Sequence, residues 1–261
     1  MAVTRGLREN LTQKTAPRRG GCFRSSPRAF SLVDVLVSIS VIAILMSLLL
    51  PSLSGIRETS RRVACSSNIR QFGLGIAMYA EDHREVVPYS DFTPLSPESV
   101  KWHPESTMTV REESRWDGLG LLFANGYTPA MGIYYCPSHM GDHPLSAYAD
   151  AWISGAGTLV SNYQYRGISP APRNATRLRL WDPNSAIVSD GLASATDYNH
   201  VIGNNTLRAD ASVLWTIDSG RRITGVLSKS DTDGQKSLRV IWAWNLIDTA
   251  GTVDPAVPPA D

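Results

Sequence analysis

Apolar residues are concentrated in one run near the N-terminus. Residues 30–50 read FSLVDVLVSISVIAILMSLLL and contain a single charged residue, Asp34. Residues 35–56 carry no charge, and about 20 apolar helical residues span the hydrocarbon core of a bilayer. A secretory signal has a shorter core of roughly 7–15 residues before a small-residue cleavage site, which residues 52–55 match poorly. The run therefore predicts a retained membrane-spanning helix.

A second apolar pattern follows Pro51. Apolar residues recur three or four positions apart, which marks one face of a helix; they are Cys65, Ile69, Phe72, Ile76 and Tyr79. We predict one helix from about residue 31 to residue 82, bent or loosened at Pro51 because proline removes a backbone hydrogen bond. The first half would lie in lipid, and the stripe of the second half would be buried against a globular head.

The remaining pattern is one of short strands and turns. A short helix is predicted at residues 116–122, with an exit at residues 125–127. Predicted strands cover residues 133–137, 161–165, 185–190 and 238–244, and a hairpin covers residues 205–215 with Asp210 and Ala211 in its turn. These strands predict an antiparallel sheet against the second half of the long helix, an α+β fold.

The patterns divide the chain into four parts. They are a basic leader (1–29), the long helix (30–85, with its membrane half at 30–54), a head (86–252) and a flexible tail (253–261). The hydrophobic content of 43% and charged content of 19% suit a globular head. The net charge of +1 gives no reason to expect a nucleic-acid partner.

The leader favours a cytoplasmic N-terminus. It holds seven basic residues and one acid, and basic segments stay on the cytoplasmic side of a membrane helix. Basic residues also follow the apolar run, at Arg57, Arg61 and Arg62. The difference in charge between the two flanks of the run therefore gives only partial support for this orientation.

The start of the apolar run resembles a known processing segment. Phe30 to Asp34, followed by an apolar helix, is similar to the N-terminal cleavage and methylation segment of type IV prepilins and type II secretion pseudopilins. The resemblance implies a peptidase that cuts between Ala29 and Phe30 and methylates the new amine. Many pilins also carry a proline at the place of Pro51. The family usually has glycine at the place of Ala29 and glutamate at the place of Asp34.

Further segments resemble one group of pseudopilin-like bacterial proteins. Residues 57–73, RETSRRVACSSNIRQFG, look like the second half of that group's helix. His200, nine intervening residues and Asp210-Ala211 resemble its H-x9-DG pattern, with alanine in place of glycine. The segments 135–138 and 189–191 also fit. The resemblance is strong over residues 28–90 and patchy over residues 116–218.

The resemblance implies a structural subunit rather than an enzyme. Its partners would be a prepilin peptidase, copies of itself, other pilins or pseudopilins, and the assembly platform of a secretion or pilus system. It implies a single-pass inner-membrane protein with a periplasmic head, or a filament at the cell surface. Asp34 of one subunit would pair with the Phe30 amine of its neighbour. In the other interpretation, Asp34 has no partner and its carboxylate extends to the membrane surface.

Other chemistries remain open. An anchored surface-binding protein or hydrolase could use the segment only for export, with His200, Asp190 and Asp210 as a hydrolase-like set, although no G-x-S-x-G sequence accompanies them. We favour His200 and Asp210 as residues that fix a turn.

The histidines, an acidic segment and the cysteines suggest further chemistry. His139 and His143 are predicted to lie in a solvated loop rather than a metal site, and residues 231–234 in a solvated turn rather than a calcium site; no cofactor is expected. Without Cys22 of the leader, Cys65 and Cys136 could pair in an exported protein or be two small buried residues.

Overall fold

The computed structural model describes residues 31–90, 108–167, 182–227 and 233–249. The predicted cleavage site at Ala29 and Phe30, Cys22, the tail and residues 231–232 of the calcium-like segment lie outside these ranges. Asp233 and Gly234, which were predicted to lie in a solvated turn, begin a helix instead. The chain divides into two compact units, residues 1–50 and residues 51–261.

One long helix dominates the N-terminal part. Helix α1 (Leu32–Asp82) is 51 residues long, which confirms the predicted helix. It begins at a capping box, in which the hydroxyl of Ser31 accepts from the amide of Val33 (3.3 Å) and the carboxylate of Asp34 accepts from the amide of Ser31 (3.3 Å). The helix includes Pro51; the bend there stays a prediction.

The second half of α1 buries the predicted stripe. Cys65, Ile69, Phe72 and Ile76 are each at most 2% exposed, and Tyr79 is partly buried. Phe72 makes edge-on contacts with the rings of Tyr134 and Tyr163, at centroid distances of 5.1 and 5.5 Å. The stripe is therefore one side of the main core, as its spacing predicted.

The head contains two antiparallel sheets. The first has the order β2-β1-β3, from β1 (Thr109–Glu112), β2 (Arg115–Trp116) and β3 (Leu159–Val160). The second has the order β4-β5-β6-β7, from β4 (Tyr163–Tyr165), β5 (Ala186–Asp190), β6 (Gly203–Arg208) and β7 (Val213–Ile217). Together with the helices they confirm the α+β fold, and β4 to β7 lie where strands were predicted.

Four shorter helices complete the described part. They are α2 (Gly120–Ala124), α3 (Leu145–Ser154), α4 (Arg222–Val226) and α5 (Asp233–Asp248), with 3₁₀ turns at Met131–Tyr134 and Ser219–Arg221. The short helix predicted at residues 116–122 is shifted, because Trp116 belongs to β2 and α2 begins at Gly120. Its exit is as predicted, with Gly126 at φ +79°.

Two predicted strands are wrong. Residues 133–137 are not a strand, because Ile133 and Tyr134 belong to a 3₁₀ turn whose side chains are buried in the core. Residues 238–244 belong to α5. The physical reason is a helical period that the short window hid: the buried side chains of α5 are Val240, Ala243, Trp244 and Ile247.

A second core lies under α4 and α5. Trp244 of α5 packs there with Ile223 and Leu227. Asp248 joins α5 to the larger sheet, because its carboxylate lies 2.6 Å from the guanidinium of Arg166 and accepts from the amide of Ala186 at 2.7 Å.

Candidate functional site

The first half of α1 has the properties of a membrane span. Leu32–Leu50 is long and apolar enough to cross a bilayer, and its large apolar side chains are all exposed. The three serine hydroxyls in it donate to carbonyls of their own helix at 2.7–2.8 Å; they belong to Ser38, Ser40 and Ser47. Hydrocarbon offers no hydrogen-bond partner, so these internal bonds suit a lipid environment.

Asp34 has a local partner that the sequence analysis missed. Its carboxylate closes the capping box with Ser31. The signal was in the sequence, since serine followed three residues later by an acid, before an apolar run, is the capping-box spacing. The cap occupies one oxygen of the carboxylate, and an ionised carboxylate has acceptor sites to spare.

A buried polar cluster forms where the second half of α1 meets the larger sheet. We call it the His200 cluster. Its residues come from α1, β5, β6 and the loops that hold Cys136 and His200, and they are Glu58, Cys65, Cys136, Asp190, His200 and Asn205. Cys65 and Cys136 are joined by a disulfide. His200 is 1% exposed, and its ring meets the ring of Trp215 edge-on, with 5.3 Å between centroids.

The two ring nitrogens of His200 have different surroundings. Nδ1 lies 2.6 Å from Oε1 of Glu58, and an ionised carboxylate only accepts, so Nδ1 carries the proton of this bond. The hydroxyl of Ser138 also donates to Glu58, at 3.0 Å. Nε2 lies 3.6 Å from the sulfur of Cys136, 3.6 Å from Oδ2 of Asp190 and 3.5 Å from Nδ2 of Asn205.

Asp190 is fully buried at the end of β5. Its Oδ2 accepts from the backbone amide of Asn205 at 2.6 Å and from that residue's side chain at 3.2 Å. Burial raises the pKa of the Asp190 carboxyl, against the lowering effects of His200 and of the Asn205 donors. The side chain of Asn199 also lowers this pKa, and it donates to the carbonyl of Asn162 at 2.8 Å.

The structure separates Asp210 from His200. His200 precedes β6, whereas Asp210 follows it in the hairpin turn, and strand residues at ~3.3 Å each put the two roughly 20 Å apart. The side chain of Ser212 and its amide, which donates to Asp210 at 2.9 Å, lower the pKa of Asp210. Only Asp210 therefore sits in the turn that both residues were predicted to fix, while His200 lies in the buried cluster with Asp190.

The two loop histidines bind neighbouring side chains. His139 and His143 lie in a loop, as predicted. Nδ1 of His139 is 2.6 Å from Oδ1 of Asn199, and Nδ1 of His143 is 2.7 Å from the hydroxyl of Tyr148.

Glu58 was the main omission of the sequence analysis. It precedes Cys65 by seven residues, two helical turns, and therefore lies on the same face of α1 as the stripe. The Glu58 side chain is 45% exposed, and its partner is the ring of His200, at 2.6 Å.

A known protein family matches part of the chain. Residues 54–104 match a family described as "Protein of unknown function (DUF1559)", a family of prepilin- and pseudopilin-like bacterial proteins. No curated protein matches the chain, and no solved structure matches it. The match ends before His200 and Asp210, so it does not bear on the H-x9-DG pattern; over the matched residues the chain is similar to pilin-like proteins.

Proposed function

We propose that this protein is a structural subunit of a pilus or of a type II secretion pseudopilus. The observation that carries the proposal is α1 itself: its first 19 residues, Leu32–Leu50, are exposed and apolar enough for a membrane, while its second half buries a stripe in the core of a head. The family match over residues 54–104 supports the same function.

Processing would precede assembly. A prepilin peptidase would cut between Ala29 and Phe30 and methylate the new amine. The subunit would then sit in the inner membrane with its N-terminus cytoplasmic and its head periplasmic. It would join copies of itself or other pilins through α1, and the assembly platform of the system would extract it from the membrane.

Asp34 would set the register between neighbouring helices. A carboxylate within an apolar membrane helix is costly, so a positively charged partner is favourable. The amine of Phe30 in a neighbouring subunit supplies that charge. The capping bond to Ser31 leaves acceptor capacity on Asp34 for this contact.

The alternative of an anchored hydrolase has less support. A general base must reach its substrate, whereas His200 is buried and faces Cys136, Asp190 and Asn205. An anchored surface-binding protein remains the other candidate, and it would stay an isolated membrane monomer instead of entering filaments.

Mass spectrometry of the native protein tests the processing step. We expect a mature N-terminus at Phe30 with a methylated amine. A chain that starts at Met1, or one that starts near Gly55, would contradict the proposal.

Three substitutions of Asp34 separate its charge from its capping role. Asp34→Asn keeps an oxygen for the Ser31 amide but removes the charge, so we expect normal membrane insertion and no sheared filaments. Asp34→Glu keeps the charge and should assemble. Asp34→Ala should insert but fail to assemble; filaments from Asp34→Asn at the wild-type level would show that only the cap matters.

A further inference from the structure

The strongest chemical feature outside the proposed function is the set of ligand atoms in the His200 cluster. Cys65, Cys136, Asp190 and His200 each offer one atom, and these four atoms lie within 4.8 Å of one another. All four residues are buried, with exposures of 0, 4, 0 and 1%. Thiolate sulfur, imidazole nitrogen and carboxylate oxygen are all zinc ligands, and structural zinc takes four ligands in a tetrahedron.

The distances around His200 fit a tetrahedral ion. Zinc binds imidazole nitrogen at about 2.0–2.1 Å, thiolate sulfur at about 2.3 Å and carboxylate oxygen at about 2.0–2.2 Å. In a tetrahedron these bonds separate nitrogen from sulfur by about 3.5 Å and nitrogen from oxygen by about 3.4 Å. Nε2 of His200 lies 3.6 Å from the Cys136 sulfur and 3.6 Å from Oδ2 of Asp190.

The surrounding groups prepare His200 as a ligand. Glu58 holds the proton on Nδ1 at 2.6 Å, which leaves the lone pair on Nε2 directed into the cluster. A carboxylate behind the far nitrogen is the usual support of a zinc-bound histidine. The hydroxyl of Ser138 in turn orients Glu58.

Asp190 brings a fully buried carboxylate to the cluster. Its Oδ2 lies 3.6 Å from Nε2 of His200 and accepts from the amide and the side chain of Asn205. A buried carboxylate needs a compensating charge or donors on both oxygens. A divalent ion between Asp190 and His200 would supply that charge.

We propose that, when Cys65 and Cys136 are reduced, the His200 cluster binds one zinc-class divalent cation through Cys65, Cys136, Asp190 and His200. The chain is synthesised with both cysteines as thiols, so this form needs no reductant. Zinc replaces the two thiol protons, which leave to solvent. The disulfide occupies the same two sulfurs, so the disulfide and the metal exclude each other.

The two states interconvert by a balanced redox step. Reduction of the disulfide takes up two electrons and two protons and yields two thiols. A phosphine supplies the electrons in vitro and becomes a phosphine oxide, whose oxygen comes from water. Separation of the sulfurs from bonding distance to about 3.8 Å, the spacing of two thiolates on tetrahedral zinc, is the required change in the cluster.

Metal titration of the full-length protein in detergent tests the proposal. After phosphine reduction without oxygen, we expect one Zn²⁺ per chain by elemental analysis, and Co²⁺ should give the intense visible bands of a tetrahedral site with a sulfur-to-cobalt charge-transfer band. The oxidised protein should bind none at this site. A reduced chain without these bands would overturn the proposal.

Variants show whether these four residues hold the ion. Asp190→Asn and His200→Gln should each weaken Zn²⁺ binding at least 10-fold, and Glu58→Gln, behind His200, should weaken it about 10-fold. Asp210→Asn and His139→Gln are matched controls outside the cluster and should bind as the wild type does. Unchanged cobalt spectra in Asp190→Asn and His200→Gln would overturn the assignment of ligands.

Discussion

The two halves of α1 use apolar residues in opposite ways. The first half, Leu32–Leu50, shows apolar side chains on all its faces and exposes them. The second half confines its buried apolar residues to one stripe and places charged residues such as Arg61 and Arg70 outside it. A helix that is apolar all round suits a membrane, whereas a striped helix suits the edge of a globular core.

The difference shows which solvent each half requires. Exposed apolar surface costs about 25 cal/mol per Å² in water, so the first half requires lipid or other helices around it. The second half already has its cover in the head. The two halves should therefore respond independently to substitution, one through insertion and the other through unfolding.

The largest expected effect is a loss of stability when a buried side chain of the α1 stripe is removed. Phe72→Ala should lower the free energy of unfolding of the head by about 3–5 kcal/mol, because it opens a cavity between α1 and the rings of Tyr134 and Tyr163. Leu74→Ala is the control, since Leu74 is 63% exposed, and should change it by less than about 0.5 kcal/mol. Denaturant unfolding measures the free energy of unfolding of both variants. Equal decreases in the two variants would contradict the distinction between the buried and the exposed face of α1.

A charge in the first half should affect insertion instead. Val41→Arg should disfavour insertion by about 2.5–3.5 kcal/mol, measured as the loss of protein from the membrane fraction. The near-ultraviolet circular dichroism of the head should not change. Val63→Arg is the control, because Val63 is exposed on the second half. If both variants left the membrane equally, the assignment of the two halves would fail.

The hairpin turn offers a smaller change confined to the head. Ala211 has φ +66°, a left-handed conformation that costs a residue with a Cβ atom about 1–2 kcal/mol. Ala211→Gly should therefore stabilise the head by about 1 kcal/mol without altering membrane insertion. The reciprocal change, Gly155→Ala at φ +68° after α3, should destabilise it by about 1 kcal/mol; thermal unfolding that moves the two variants in the same direction would contradict this account.

The smallest expected effect depends on pH. The bonds from Ser212 lower the pKa of Asp210 in the folded state, so its ionised form stabilises the head above the unfolded pKa, and this contribution is lost as pH falls through the folded pKa. Asp210→Asn should therefore differ from the wild type at neutral pH and less so in acid. The exposed position of Asp210 keeps the difference small. A larger gap in acid would refute the sign.

Much of the fold follows from periodicity in the sequence. The stripe from Cys65 to Ile76 predicted the buried face of α1, and the hairpin around Asp210 and Ala211 was predicted with its turn. The strand assigned to residues 238–244 failed because a seven-residue window does not distinguish partial alternation from a helical period. The strand predicted at residues 133–137 is wrong because packing in the core overrode strand propensity, and a 3₁₀ turn covers Met131–Tyr134.

The His200 cluster was predictable only in part. His200, Asp190, Cys65 and Cys136 were each candidates from the sequence, but these residues lie on four separate segments and come together only in the fold. His200 was paired with Asp210 because the two residues resemble the H-x9-DG pattern. The six-residue strand β6 lies between them, and extended chain separates residues that a helix would bring close.

The disulfide has a mechanical consequence. Cys65 lies on α1 and Cys136 lies 71 residues later, beyond the first sheet's β1 and β2. A pull along α1 therefore reaches the head through a covalent bond as well as through packed side chains. While the disulfide is intact, a pulling force cannot separate the head from α1 at this point. Reduction of the disulfide should therefore lower the force at which the two separate.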